Sequence, residues 1–253
     1  MLKVKSFFTA FCSYLFLATS FNSQAYSDEL KVGLAELDYP PFYYVGDDAM
    51  TGASIEIAEA LADIAGHQLT YKRVPWKRLQ KELQSGSLDM VILYMRTEER
   101  ERDVFYTQAP YIFEESYLFV GKDHELTEAQ DLKQLSGYDF FYVRGYSHGE
   151  AFDSASYLHK TEVKDELELI KRISSDRPFI GVGSKPAIIY HAQQSGLGEE
   201  IKFLQPALHR GENFMAVSRQ VEGGEKIAAD FSAAFTEFSK RPVYSEILRR
   251  YGF

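Results

Sequence analysis

The chain has 253 residues, of which 45% are hydrophobic and 26% charged, so it can bury the core of one large domain or two small ones. Its 37 acidic residues outnumber its 28 Lys and Arg residues, which argues against nucleic acid and anionic membrane surfaces as partners. The six histidines are scattered along the sequence, so we expect neither a metal site nor a cofactor.

The first 25 residues have the pattern of a secretory signal peptide. Lys3 and Lys5 precede an uncharged apolar run over Phe7–Ser20, and Ser23-Gln24-Ala25 places small residues where a signal peptidase cleaves. The alternative is an uncleaved membrane anchor. Cleavage would also remove Cys12, the only cysteine, so we expect a periplasmic protein whose stability depends on its core and not on disulfides.

Strand and helix patterns alternate from Leu30 onward. The first block predicts strand Leu30–Leu34, a helix capped by Ser54 and ended by Gly66, strand Leu69–Val74, helix Trp76–Gln84 and strand Met90–Leu93. A β-α-β-α-β order of this kind indicates a parallel sheet covered by helices.

A second block repeats this pattern. It predicts strand Phe140–Val143, helix Val163–Ile173, strand Phe179–Val182, helix Pro186–Gln194 and strand Ile201–Phe203, with strand Tyr117–Val120 between the blocks and two helices at the C-terminus. We therefore predict an α/β fold of two lobes. Lobe 1 is residues 26–120 plus 211–253, lobe 2 is residues 121–210, and the crossings near Phe119–Lys122 and Ala207–Gly211 form a two-segment hinge beside a ligand cleft.

Five stretches carry a resemblance to a known family. They are KVGLAELDYPPFYY from Lys31, GASIEIAEALADIAG from Gly52, VPWKRLQKELQSGSLDMVI from Val74, RTEERERDVFYTQAPYI from Arg96 and YSEILRRYGF from Tyr244. Together they resemble the bacterial family 3 extracellular solute-binding proteins, the periplasmic receptors for polar amino acids. The resemblance is dense through Ile112 and thin from there to about Gly211. It implies a type II periplasmic binding protein fold that captures a small carboxylate-bearing solute by hinge closure and passes it to an ABC-type transporter.

The most informative motif is Thr97-Glu98-Glu99-Arg100. Thr97 suits a helix N-cap and the two glutamates suit the first turn, which would place Arg100 near a helix start after a buried strand. A guanidinium beside free backbone N–H groups can bind a carboxylate in bidentate fashion. The resemblance implies that Arg100 grips the ligand carboxylate, with Thr97 supplying a hydrogen bond; the alternative is a surface arginine paired with Glu99 or Glu101.

Three aromatic residues are candidates for the walls of the site. The two prolines of Tyr39-Pro40-Pro41-Phe42 stiffen a turn after a strand and fix Tyr39 and Phe42, while Trp76, the single tryptophan, begins a helix directly after a strand. Rigid rings bind ligands at little entropic cost, and the resemblance implies that Trp76 stacks on the ligand. The alternative for each is packing within the core or between the lobes.

The sequence departs from the family pattern at two places. Tyr94, Met95 and Arg96 stand where amino-acid-binding members carry small hydroxyl residues, and Gly183, followed by Ser184 and Lys185, stands where they carry an Asp that pairs with the ligand ammonium. A buried ammonium without an acid is costly. Either Asp176 or another acid replaces the missing Asp, or the ligand is not an ordinary α-amino acid.

Basic residues near the cleft favour the second of these choices. Ser147, in the loop from Arg144 to His148, resembles the residue that completes carboxylate binding. With Arg96, Arg100, Arg144 and Lys185 near the cleft, our hypothesis is a carboxylate-rich ligand without an obligatory ammonium.

Three other functions compete with transport. Some relatives act as ligand-sensing modules for a membrane receptor, so the partner is either a permease or a sensory receptor. A few are cyclohexadienyl dehydratases, which need a general acid in the cleft. His148 and Glu150 could be read that way, although both also suit a solvated loop. A structural module without a ligand is the third. We expect a monomer that is not an enzyme and has no catalytic residues.

Overall fold

The computed structural model describes residues 29–47, 49–129, 131–175 and 177–253. The predicted signal peptide and Asp176 lie outside the described residues. The described strands are β1 (Glu29–Ala35), β2 (Tyr44–Val45), β3 (Met50–Thr51), β4 (Gln68–Val74), β5 (Met90–Met95), β6 (Val104–Tyr106), β7 (Ile112–Gly121), β8 (Asp139–Val143), β9 (His159–Val163), β10 (Phe179–Ser184), β11 (Ile201–Phe203) and β12 (His209–Ser218).

Helices cover this framework on both sides. They are α1 (Ala53–Ala65), α2 (Trp76–Gln84), α3 (Glu98–Glu101), α4 (Glu150–Asp153), α5 (Glu166–Ile173), α6 (Lys185–Gln194), α7 (Gly224–Phe238) and α8 (Pro242–Arg250), with a 3-10 turn at Gly198–Glu200. Across the described residues, none of the helices is both long and apolar enough to cross a lipid bilayer.

One mixed sheet runs through both lobes, in the order β4-β1-β5-β12-β7-β10-β8-β9. β4, β1 and β5 are parallel in lobe 1, and β10, β8 and β9 are parallel in lobe 2. The two groups meet through the antiparallel strands β12 and β7. This arrangement confirms the predicted α/β fold of two parallel-rich lobes.

β7 and β12 carry the chain between the lobes. Residues 112–116 of β7 pair with residues 209–213 of β12, whereas residues 116–121 of β7 pair with β10 and β11. A side chain near the middle of β7 therefore lies where the two lobes meet. The lobe boundaries at residues 120 and 210 stay predictions.

Each lobe has its own hydrophobic core. Lobe 1 packs Leu61 and Met90 with Phe231 of helix α7, and lobe 2 packs Phe140 with Ile180. The helical spacing of apolar residues in the sequence matches the faces that are buried, because only those stripes can cover the sheet.

Two local predictions are wrong. Ser54 is not the cap of α1: the helix begins after Gly52, whose φ of 123° and close approach to the Phe42 carbonyl leave no room for a Cβ. The predicted helix from Val163 begins only at Glu166, because Asp165 caps it by accepting the backbone N–H of Glu168, and Val163 ends strand β9.

Candidate functional site

Two cavities lie between the lobes. The inner one has a volume of about 40 Å³, which is room for a few water molecules at most. It is lined by Tyr39, Tyr43, Trp76, Leu93, Met95, Arg100, Glu114, Ser116, Tyr146, Ser147, His148 and Asn213. The outer cavity is an open cleft of about 1170 Å³ that shares Met95, Arg100, Tyr146 and Ser147 with the inner one.

Arg100 is held at the junction of these cavities. Its backbone N–H donates to the Thr97 hydroxyl at 3.3 Å, which is the predicted N-cap of α3. Its guanidinium lies over the Tyr94 ring at 4.3 Å and donates to the Met95 carbonyl at 2.9 Å. Arg100 is only 8% exposed and forms no ion pair with any described carboxylate, so the alternative of a surface pair is wrong.

A single backbone carbonyl of lobe 2 receives three donors from lobe 1. The Gly145 oxygen accepts from Arg100 Nη2 at 2.9 Å, from Trp76 Nε1 at 2.9 Å and from Gln80 Nε2 at 3.3 Å. Gly145 has a φ of 81°, and a Cβ there would meet the Gln80 side chain at 2.7 Å. The lobes are thus joined at the place predicted for the ligand carboxylate.

The ring of Tyr146 occupies the space between the predicted aromatic walls. It makes edge contacts with Tyr39 at 6.0 Å and with Trp76 at 5.3 Å between ring centroids. Its hydroxyl donates to the buried carboxylate of Glu166 at 2.7 Å. The small volume of the inner cavity follows from this insertion.

A buried carboxyl lies in the same inner cavity. Glu114 lies in the part of β7 that pairs with β12, is 7% exposed, and accepts from the Tyr39 hydroxyl at 2.5 Å and the Asn213 side-chain amide at 3.3 Å. No Lys, Arg or His among the described residues forms an ion pair with it. Burial raises the pKa of this carboxyl, and the hydrogen bonds from Tyr39 and Asn213 act in the opposite direction.

His148 also lines the inner cavity. Its Nδ1 lies 2.9 Å from the Ser116 hydroxyl, and its Nε2 has no hydrogen-bond partner among the described residues. Burial lowers the pKa of the imidazole to about 4. The interpretation of His148 as a solvated loop residue is wrong, since it is 3% exposed; Glu150 is exposed and lines only the outer cavity.

The structure divides the ten predicted ligand residues into three groups. The inner cavity brings together Tyr39, Trp76, Arg100 and Ser147, and the outer cleft adds Tyr94, Arg96 and Thr97. Phe42, Arg144 and Ser184 line neither cavity.

Three of the predicted ligand residues make contacts with other residues of the protein. Phe42 is 1% exposed in the core of lobe 1, where it packs against Phe253. Arg96 lies over the Phe214 ring at 4.7 Å and pairs with Glu101 at 3.5 Å. Ser147, although in the cavity wall, uses its hydroxyl to donate to Asp153 at 2.5 Å.

Sequence reasoning missed Glu114, Ser116 and Asn213. Glu114 and Ser116 alternate with exposed or half-buried residues along β7, but both faces of the strand carry polar and apolar residues, so the sequence does not reveal which face is buried. Asn213 lies on β12, which was not predicted as a strand, so the sequence pattern offered no way to place it.

Comparisons with known proteins agree with this geometry. The chain is 25% identical over 181 residues to the probable amino-acid-binding protein YxeM of Bacillus subtilis, covering 70% of this chain and 67% of the relative. It is 30% identical over 163 residues to the arginine-binding extracellular protein ArtP of the same species, covering 62% of each. A histidine kinase sensor domain similar to periplasmic binding proteins superposes with a TM-score of 0.76 at 18% identity, covering 88% of this chain and 96% of that one.

The fold and the cleft between its lobes define a two-lobed solute-binding protein. The model of the bacterial extracellular solute-binding proteins, family 3, matches residues 30–253, and the chain belongs to that family. The family is one of binding proteins, which confirms the resemblance found in the motifs around Trp76 and Arg100.

Proposed function

We propose that the protein captures an amino acid or a related carboxylate between its lobes and delivers it to an ABC-type transporter after export to the periplasm. The observation that supports this is the buried guanidinium of Arg100, which reaches into the cleft and pairs with no described carboxylate. A guanidinium in this setting binds a carboxylate through two parallel hydrogen bonds. The relatives are named for binding amino acids and arginine.

Binding requires the loop of lobe 2 to move. A ligand carboxylate takes Arg100 Nη2 only when the Gly145 carbonyl leaves it, and an inner cavity of about 40 Å³ admits an amino acid only when the Tyr146 ring withdraws. The ligand then bridges the lobes in place of these protein groups. Because it contacts both lobes, it favours closure over opening.

A thermal-shift screen of residues 26–253 tests this function. The panel holds the amino acids, dicarboxylates and aromatic acids, and the variants are Arg100→Ala and the matched control Arg102→Ala, whose exposed arginine lines neither cavity. A ligand at about 100 times its dissociation constant adds about 2.7 kcal/mol, which moves the midpoint by several degrees. We expect a shift in the wild type and in Arg102→Ala that Arg100→Ala lacks; no shift from any compound would contradict the proposal.

Catalysis on the bound ligand is the second candidate function. One observation favours it: the buried His148 has an unpartnered ring nitrogen, and the neutral imidazole can accept a proton. Incubation followed by chromatography separates the two functions. A ligand recovered unchanged supports binding alone, whereas a product that His148→Gln fails to form would establish an enzyme.

A further inference from the structure

The inner cavity contains two ionisable groups of opposite kind that lack ionic partners. Arg100 and Glu114 both line it, are 8% and 7% exposed, and form no ion pair with any described residue. Leaving a charge buried and unpaired costs several kcal/mol, so each group favours a ligand atom of opposite charge. A cavity that holds both suits a ligand that carries both charges.

The surroundings of Glu114 leave room for another donor. One carboxylate oxygen accepts from Tyr39 and the other from Asn213, whereas a carboxylate has about four acceptor sites. An ammonium group has three donors and can use the remaining sites. The acid also lies on β7, the strand that crosses between the lobes, and not at the end of β10 where the family pattern places an Asp.

Ser184 and His148 add two buried polar atoms that satisfy hydrogen-bond geometry with no described residue. Ser184 of β10 is 3% exposed and pairs in register with Ser116, two residues along β7 from Glu114. Its hydroxyl lies near the Glu114 carboxyl, but it satisfies hydrogen-bond geometry with no described residue. The Nε2 of His148 is likewise unpartnered. Buried polar atoms are nearly always satisfied, so the free Nε2 of His148, which lines the inner cavity together with Glu114, indicates that the ligand there carries a polar group.

The cations that suggested a carboxylate-rich ligand lie outside the inner cavity. Arg96 lines the outer cleft, Arg144 is exposed, and Lys185 lies over the Tyr117 ring at 5.5 Å. Arg100 is therefore the only Lys or Arg among the described residues that line the inner cavity. One guanidinium can bind one carboxylate, and a second carboxylate there would meet Glu114.

We propose that Glu114 takes the place of the missing Asp and receives the ammonium of a zwitterionic α-amino acid whose carboxylate binds Arg100. This rests on the proposed function. It replaces the hypothesis of a ligand without an obligatory ammonium, and it makes Glu114 the residue that separates amino acids from plain carboxylic acids.

Titration calorimetry with matched ligands tests this assignment. The probes are L-phenylalanine with 3-phenylpropionate, L-glutamine with 4-carbamoylbutyrate, and L-arginine with 5-guanidinovalerate, where the second of each pair lacks only the ammonium. The variants are Glu114→Gln and the matched control Glu115→Gln, an exposed neighbour on the same strand. Gln keeps the shape of Glu and an oxygen that accepts from Tyr39.

We expect the wild type and Glu115→Gln to bind at least one amino acid at least 100-fold more tightly than the analogue that lacks its ammonium. Glu114→Gln should reduce this ratio of affinities to below 10-fold. An unchanged ratio in Glu114→Gln would overturn the assignment. Equal binding of both members of a pair by the wild type would overturn it without any variant; if Arg100→Ala also abolished that binding, the proposed function would stand. If none of the six probes bound, both proposals would fail.

Discussion

His148 makes the stability of the protein depend on pH in a way that can be calculated. The imidazole is 3% exposed and is enclosed by the rings of Tyr142, Tyr146 and Phe152, and burial lowers its pKa from 6.5 to about 4. Between these two values the unfolded chain binds a proton that the folded protein does not. The free energy of unfolding contributed by this site is therefore lost as the pH falls from 6.5 toward 4, and by pH 4 the loss is about 3 kcal/mol.

Urea unfolding of the wild type and of His148→Gln at a series of pH values measures this contribution. We expect the wild type to lose about 3 kcal/mol more than the variant between pH 7 and pH 4. The pKa values of Glu114 and Glu166 are raised by burial, so the folded protein holds these protons more tightly than the unfolded chain. Their contribution to the free energy of unfolding therefore falls as the pH rises above 4.5, which is the opposite of the effect of His148. Both acids are present in the two proteins, so the comparison removes their effect.

The matched control is His159→Gln. The side chain of His159 is 73% exposed, with Asp139 at 3.7 Å, so its removal should leave the pH dependence of the wild type unchanged. Equal losses of stability in His148→Gln and the wild type would refute the reasoning, since they would show that the imidazole titrates normally in the folded protein.

Two more predictions follow from the cleft and its supporting turn. Trp76 is the single tryptophan and donates to Gly145 across the lobes, so ligand binding should change the intrinsic fluorescence, and Trp76→Phe should abolish the change while calorimetry still detects binding. Gly52→Ala should lower the free energy of unfolding, measured by urea titration, by at least about 2 kcal/mol. The reason is that φ is 123° and the new Cβ would lie 2.3 Å from the Phe42 carbonyl oxygen. Gly66→Ala should cost less in the same titration, because no heavy atom lies within 4 Å of its new Cβ.

The sequence predicted most of the helices and strands because these elements are periodic. Helix α1 repeats apolar residues at Ile57 and Leu61, and β5 is an uninterrupted apolar run, so local patterns alone identify both. The cap at Thr97 was likewise a local signal, and it led to Arg100. β12 was missed because Arg210, Glu212 and Asn213 interrupt its apolar pattern, although its partners on both sides bury it.

The inside of the cleft was harder to predict because contacts between the lobes decide it. The bond from Arg100 to Gly145 ends on a backbone carbonyl, which leaves no mark in the residue types. Tyr146 fills the space between Tyr39 and Trp76 only because the lobes meet there. Glu114 and Glu115 are the same residue type, and only the pairing of β7 with β12 and the contacts between the lobes distinguish the buried acid from the exposed one.

The most direct test of the central claim is the affinity of Arg100→Ala for the amino acid that the screen identifies. Replacing a buried charged partner typically costs about 2–5 kcal/mol of binding free energy, which corresponds to a 30-fold or greater loss of affinity. We predict that loss for Arg100→Ala in titration calorimetry, with Arg102→Ala remaining within about 3-fold of the wild type. Wild-type affinity in Arg100→Ala would contradict the account, because the carboxylate would then bind elsewhere.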